Sequence, residues 1–203
     1  MTTLIIGGSG LLGQALVDEF SDTIHATYHS NPPVAEVWRN ANWLPLDITD
    51  EAATAAAIET IKPDLVVNAA YVSAGPGLEA ITAHAPGTIA GVCRRASCRL
   101  VHVSTDVVFG GDRTEPYAEA DDPDPVHAYG RAKLSAERAV TAADPAALIV
   151  RTSLLYGGRS EHAQETLIRR AVEKGDITFF TDEVRCPIAV TDLAGAIRQL
   201  SNY

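Results

Sequence analysis

The sequence predicts a doubly wound α/β fold, a parallel sheet with helices packed on both faces. Three observations carry that expectation. Short aliphatic runs alternate with amphipathic stretches along most of the chain. The runs are bounded by Gly, Pro or polar residues, as strands buried on both faces are. A glycine-rich turn stands between the first run and the first amphipathic stretch.

In order, Leu4–Ile6, Ile24–Tyr28, Leu65–Asn68, Leu100–Ser104 and Ala147–Arg151 read as buried strands, with a further short strand before Asp47. Leu11, Leu12, Ala15, Leu16 and Phe20 follow helical spacing, as do Ile58 and Ile61 in the Ala-rich segment 51–61. A helical pattern from Glu79 to Ala96 is interrupted at Pro86-Gly87, which predicts a kink or a restart with Pro in the first turn. The Asp- and Pro-rich segment 111–127 reads as a loop leading into a helix that begins near Tyr129. Beyond Gly157 the alternation weakens. A helix near 161–174, a strand Ile177–Phe180, a short strand Pro187–Val190 and a helix from Asp192 are expected there. Residues 1–156 are read as the main domain and 157–203 as a small substrate-side region packed on it.

A chain of 203 residues can bury about 70% of its unfolded surface without a disulfide or metal staple. The formal net charge of −10 leaves no dense basic face for nucleic acid or an anionic membrane. A few donors fixed in a cleft can still hold an anionic metabolite. Three cysteines without a Cys-x-x-Cys suit a reducing compartment. No apolar run approaches the ~20 residues of a membrane span, and no signal peptide is legible, so a cytoplasmic location is expected.

The strand Leu4–Ile6 runs into Gly7-Gly8-Ser9-Gly10-Leu11-Leu12-Gly13. In a G-x-x-G-x-x-G turn of this kind, the first glycine allows a tight bend and the second lets backbone approach a pyrophosphate. The third lets the helix pack on the strand. The helix N-terminus adds free N–H groups and the positive end of its dipole. Strand, turn and helix together predict dinucleotide binding in a Rossmann-type sheet. At the end of the second strand, Tyr28-His29-Ser30 offers no Asp or Glu for a ribose 2′-hydroxyl. His29 and Ser30 suit a 2′-phosphate instead, which favours NADP, with NAD as the alternative. Asp47-Ile48 is placed at the adenine edge, Asp47 having the alternative role of capping the following helix.

Tyr129-x-x-x-Lys133 puts a phenol and an ammonium on one helix face. An ammonium beside a phenol would lower the phenol pKa and suit it to proton transfer. Ser104-Thr105-Asp106 ends a buried strand, at the sheet edge where ligands of open α/β folds gather. A hydroxyl there can donate to a carbonyl oxygen.

Taken together, the glycine turn, Asn68-Ala69-Ala70, Ser104-Thr105-Asp106 and Tyr129-x-x-x-Lys133 resemble the extended short-chain dehydrogenase/reductase superfamily. Within it the chain is most similar to the dTDP-4-dehydrorhamnose reductase family. Further support comes from Lys62–Ala70, Val103–Gly111, Val150-Arg151-Thr152-Ser153, Arg185-Cys186-Pro187 and Asp192-Leu193-Ala194. The resemblance implies a carbonyl reductase acting on a 4-keto nucleotide sugar or a sugar-like ketone. It gives Tyr129 the role of general acid. Lys133 would tune it and bind the nicotinamide ribose, and Thr105 would polarise the carbonyl. Gly7, Gly10, Leu11 and Leu12 would cradle the pyrophosphate. Asn68, Ala69, Ala70 and Ser104 would lie on the cofactor side. Thr105, position 107 and Arg185 would face the substrate, Arg185 having a structural ion pair as its alternative. A homodimer is also implied. The chain departs from the family at Val107, where a Tyr is usual, and at His84, where an Asn is usual. It also ends at Tyr203, several tens of residues before its relatives. A shortened reductase, or a substrate smaller than a nucleotide sugar, would fit that ending.

Two other readings stand beside the reductase: a sugar-nucleotide epimerase, and a dinucleotide-binding regulatory or partner protein without turnover. Val107 removes the Glu that a dehydratase of this superfamily would carry as base. His25 and His29 do not converge on a strand as a helical pair would, so no metal site is expected. His102 alternates with Val101 and Val103 and reads as a core or cofactor-side histidine. Cys93 and Cys98 are expected to pack on a helix and the next strand. Neither Ser9 nor Ser104 has a His–Asp partner set for nucleophilic hydrolysis.

Overall fold

Six parallel strands form the main sheet in the order β3-β2-β1-β4-β5-β6. They are β1 (Thr2–Ile6), β2 (Thr23–Tyr28), β3 (Ala41–Pro45), β4 (Leu65–Asn68), β5 (Arg99–Thr105) and β6 (Leu148–Thr152). The computed structural model describes residues 1–21, 23–30, 32, 41–159, 163–175, 177–179 and 181–201. The chain winds from β1 toward β3 on one side, then crosses to β4 and continues to β6 on the other. The direction reverses between β1 and β4, where a crevice opens at the C-terminal strand ends. This is the predicted doubly wound fold.

Successive residues of a strand face opposite sides of the sheet, so β1 feeds two cores. Ile5 enters the layer formed by α1 (Leu11–Glu19) and α6 (Val190–Leu200). Leu4 and Ile6 enter the opposite layer, with α2 (Glu51–Ile61), α3 (Ala85–Ala96) and α4 (Ala128–Ala143). All three side chains are fully buried. On α6, Val190, Leu193, Ala194 and Ile197 fall at i, i+3, i+4 and i+7, and all are buried in the α1 layer. The last helix thus shares a core with the first and begins two residues before the expected Asp192.

The helix ends have local causes. Asp50 caps α2, its carboxylate accepting from the Ala53 amide at 2.9 Å. The stretch expected to break at Pro86-Gly87 divides at Ala85: Leu78–His84 is wound as a π-helix, and Pro86 sits in the first turn of α3. Pro86 has no N–H, so it is tolerated where helix hydrogen bonds are restarting. Cys93 and Cys98 are buried, and Cys93, Cys98 and Cys186 are unbridged.

Two expectations need correction. Ile177, Thr178 and Phe179 form no strand, while Phe180 lies outside the described residues. These three residues are at least partly exposed, and no neighbouring strand gives them a ladder. The strand near 187–190 is only Ile188–Ala189 (β8), and it pairs in parallel with β7 (Leu155–Tyr156) in a separate small sheet. The helix expected from 161 is observed as α5 (Ala163–Lys174), with 161 and 162 outside the described residues. Among the described residues no helix is long and apolar enough to cross a membrane.

Gly13 tests the packing of α1. A Cβ added there would lie 2.2 Å from the Gly7 carbonyl oxygen and 2.6 Å from Gly8 Cα, both rigid backbone. Gly13→Ala is expected to destabilise by about 2–3 kcal/mol in urea denaturation. Gly91→Ala on α3, whose added Cβ meets only the tip of Arg95 at 3.5 Å, is expected to be neutral or to stabilise by up to ~1 kcal/mol.

Candidate active site

The crevice between β1 and β4 is lined first by the glycine turn. Gly7 has φ +82°, a conformation open to glycine at little cost. A Cβ on Gly7 would also strike the Ala70 amide nitrogen at 2.8 Å. The turn is tied to β2 by the Gly7 amide, which donates to Thr27 Oγ1 at 3.0 Å. Gly10 is extended and supplies no side-chain cap, so the first N–H groups of α1 receive no side-chain cap among the described residues. An uncapped helix end above a turn with no Cβ on Gly7 or Gly10 fits a diphosphate.

A cavity of about 250 Å³ extends from this turn. It brings together Gly7, Gly10, Tyr28, His29, Asp47, Ile48, Ala69 and Ala70 of the residues predicted to hold a dinucleotide. Leu12 is instead buried in the core, leaving only its backbone at the turn. The Leu11 side chain points toward Gly158. Ser30 Oγ bonds His29 Nδ1 at 2.8 Å at the exposed end of β2. Asp47 does not cap α2, a role Asp50 fills. Its Oδ1 accepts from the Thr49 hydroxyl at 2.7 Å and amide at 2.9 Å, which hold the carboxyl below the usual carboxylate range. His29 Nε2 lies 3.8 Å from Asp47 Oδ2.

Asn68 and His102 lie beneath the cavity, both buried. Asn68 Oδ1 accepts from the Ala70 amide at 3.2 Å, and its Nδ2 meets His102 Nδ1 at 3.3 Å. Burial, then the nearby Lys133 charge, keeps His102 neutral by depressing its pKa well below the ordinary value. The histidine read as core or cofactor-side therefore braces the strand end that abuts Gly7.

None of Ser104, Thr105, Tyr129 and Lys133 lines that cavity: the first two end β5, the others lie on α4, and Tyr129 adjoins the cavity through Tyr71. The Ser104 hydroxyl is committed, donating to Glu137 Oε1 at 2.5 Å. Thr105 Oγ1 is not: its contacts to Val107 N and Asp106 Oδ1 are both long, at 3.4 Å. The Tyr129 ring is tilted 51° to Tyr71, with centroids 5.8 Å apart. Gly130 lets α4 start this close to the turn after β5, since a Cβ there would lie 2.2 Å from the Val107 carbonyl oxygen.

The Tyr129–Lys133 expectation needs correction. The phenol is pushed above its ordinary value, by burial first and then by Tyr71 and Asp106. Lys133 does not offset this, because its long stem carries the ammonium under the helix, where Nζ donates to the Val103 carbonyl at 2.5 Å. Lys133 is 3% exposed, and burial pushes it down to about 8, against the opposing pull of Glu137.

Arg185 forms the ion pair that was one of its two readings. Its Nη2 and Nε donate to Asp106 Oδ1 at 2.8 Å and Oδ2 at 3.1 Å. Val107 is half-buried in the 3₁₀ turn Asp106–Val108, and His84 is exposed at the end of the π-helix. Sequence reasoning missed Tyr71 and Glu137. Tyr71 directly follows Asn-Ala-Ala, and Glu137 continues the 129–133 spacing by one more turn. Glu137 is buried and takes a bidentate pair from Arg151, Nε to Oε1 at 3.0 Å and Nη2 to Oε2 at 2.7 Å.

Comparison with known proteins agrees with the fold. The family model for the RmlD substrate binding domain matches residues 1–202. A probable low-salt glycan biosynthesis reductase of Haloferax volcanii is 32% identical over 98% of this chain and 70% of its own length. A dTDP-4-dehydrorhamnose reductase of Mycolicibacterium smegmatis is 34% identical over 97% of this chain. The chain spans only 59% of that protein. Among solved structures, the dTDP-4-dehydrorhamnose reductase of Bacillus anthracis in complex with NADP superposes with a TM-score of 0.80. It is 28% identical, over 99% of this chain and 70% of its own.

The buried ammonium has a measurable signature. Lys133 holds its proton less tightly in the folded protein, at about 8, than at its ordinary 10.5. Between these values the unfolded chain binds more protons, so this group's contribution to stability rises with pH. The unfolding free energy of wild type minus that of Lys133→Met is expected to rise by about 3 kcal/mol from pH 7 to 10.5. A flat difference in urea titrations across that range would put the ammonium in water.

Proposed function

Because the chain belongs to the RmlD substrate binding domain family, we propose that it is an NAD(P)H-dependent reductase of a keto group on a nucleotide-linked sugar. The observation that supports this best is the uncapped glycine turn, fit for a diphosphate, at one end of a cavity whose lining residue Tyr71 lies against the half-buried phenol of Tyr129. The uncommitted hydroxyl of Thr105 ends β5 of the same sheet. The nucleotide-sugar substrate is taken from the relatives, several of which are named for dTDP-4-keto sugars.

In this reading the first amides of α1, with Gly7 and Gly10, hold the diphosphate. Tyr28, His29, Ser30, Asp47 and Ile48 serve the adenosine side, and Asn68, Ala69 and Ala70 form the floor. Lys133 serves the nicotinamide ribose. A bound dinucleotide supplies the hydride for the carbonyl carbon. Thr105 donates a hydrogen bond to the carbonyl oxygen and polarises it. Tyr129 gives that oxygen its proton, and burial of the phenol keeps the proton in place until charge develops on the substrate. Ser104, its proton already held by Glu137, serves the frame and not the substrate. The end of β2 carries no carboxylate, and His29 and Ser30 favour the 2′-phosphate of NADP.

Tyr129→Phe is expected to retain NADPH affinity and lose ~10²–10⁴-fold in turnover. The assay is loss of NADPH absorbance with a panel of dTDP-4-keto sugars and small ketones. Wild-type turnover in the variant would remove Tyr129 from the role. Fluorescence titrations with NADPH and NADH side by side are expected to favour NADPH, and equal affinities would withdraw that preference.

A further inference from the structure

The cavity that runs from the glycine turn brings a histidine up to a carboxylate. His29 Nε2, just past β2, lies 3.8 Å from Asp47 Oδ2, just past β3. Both side chains are more than half exposed, and both residues line the cavity. Each is held through its other polar atom. Ser30 Oγ bonds His29 Nδ1 at 2.8 Å, and the Thr49 hydroxyl and amide both donate to Asp47 Oδ1. Nε2 and Oδ2 are left facing each other.

Few other charges bear on this pair. Among the described residues, the cavity lining holds no Lys or Arg, and Asp47 is its one carboxylate. The glycine turn contributes no ionisable side chain. At the start of α2, Asp50 accepts from the Ala53 amide and Glu51 from the Thr88 hydroxyl. His25 lies four residues back along β2, ~13 Å away. Asp47 stays ionised, its two bonds from Thr49 holding it below the usual carboxylate range. Among the described residues, His29 therefore decides what an anion meets here. At low pH it meets a cation beside a carboxylate, and at high pH a carboxylate without a cation. Histidine is the side chain that makes this change between about pH 5 and 8.

We propose that His29 makes the choice between NADPH and NADH depend on pH: a cationic imidazole holds the 2′-phosphate, and a neutral one leaves Asp47 to repel it. The inference rests on the proposed dinucleotide reading and adds to it how that site is regulated. The 2′-phosphate is the one group that separates the two dinucleotides, so contacts common to both cancel in the ratio of their affinities. A phosphate monoester loses its second proton at about pH 6 and is a dianion above it. An imidazolium and a phosphate dianion share a charge-assisted hydrogen bond. Loss of the imidazole proton weakens that bond and leaves two negative groups side by side.

The test is fluorescence titration of the whole chain with NADPH and NADH at pH 6.5, 7.5 and 8.5. The preference for NADPH is expected to fall about tenfold across that range, with NADH affinity level. His29→Arg keeps a cation at every pH and is expected to hold the preference high and flat. His29→Gln is expected to leave it low and flat. Asp47→Asn should raise the preference most at pH 8.5, where the wild-type carboxylate has no cation beside it. Calorimetry at pH 7.5 in buffers of different ionisation enthalpy gives a second readout. NADPH should take up protons on binding to wild type and none on binding to His29→Arg, and NADH should take up none.

A flat ratio with both dinucleotides bound overturns this proposal alone. So does a fall that persists in His29→Arg, because a group other than His29 would then carry it. If neither dinucleotide binds at any of these pH values, the dinucleotide reading falls and this proposal with it.

Discussion

Almost no space separates the start of α1 from the strand ends that hold it. Gly7 lies against the backbone at Ala70, and Gly13 lies against Gly7 and Gly8, at distances that admit no Cβ. That contact sets where the first helix leaves the sheet. It puts the uncapped amides of α1 at the mouth of the crevice between β1 and β4. It also fixes the pitch at which Leu16 and Val17 meet Ile5 below and Ile197 of α6 above. The ligand-facing end and the core-facing stripe of α1 are thus consequences of one close approach.

The second organising feature is buried charge on the opposite side of the crevice. Glu137 and Arg151 pair at 2.7 Å, each reducing the desolvation cost of the other, and Lys133 lies one helical turn before Glu137 with its ammonium on the Val103 carbonyl. Removing one partner of such a set leaves a buried charge without compensation, which is far more damaging than losing a surface pair. The arrangement also divides labour between adjacent hydroxyls. Ser104 is spent on Glu137, and Thr105 keeps its proton for an outside acceptor.

Much of this was legible in the chain because parallel strands are buried on both faces and read as unbroken apolar runs. Leu65–Asn68 and the helix over 51–61 match the observed β4 and α2, and the other main strands differ by one or two residues at their ends. The glycine turn was legible because strand, turn and helix adjoin in sequence. The tiny β7–β8 pair was not, since two residues give no periodicity. Ile177-Thr178-Phe179 has strand-like composition but no partner to complete it.

The sequence by itself determined what local spacing can express: the order of strands and helices, the turn without side chains, and the four-residue interval between Tyr129 and Lys133. Only the tertiary structure decided which charges meet. Arg151 finds Glu137 fourteen residues away, Arg185 finds Asp106 across seventy-nine, and Lys133 turns to Val103 and away from Tyr129. The physical reason is that a spacing rule fixes only which face a side chain occupies. The end of a long Lys or Arg stem goes wherever the folded chain offers an acceptor and the least exposed charge.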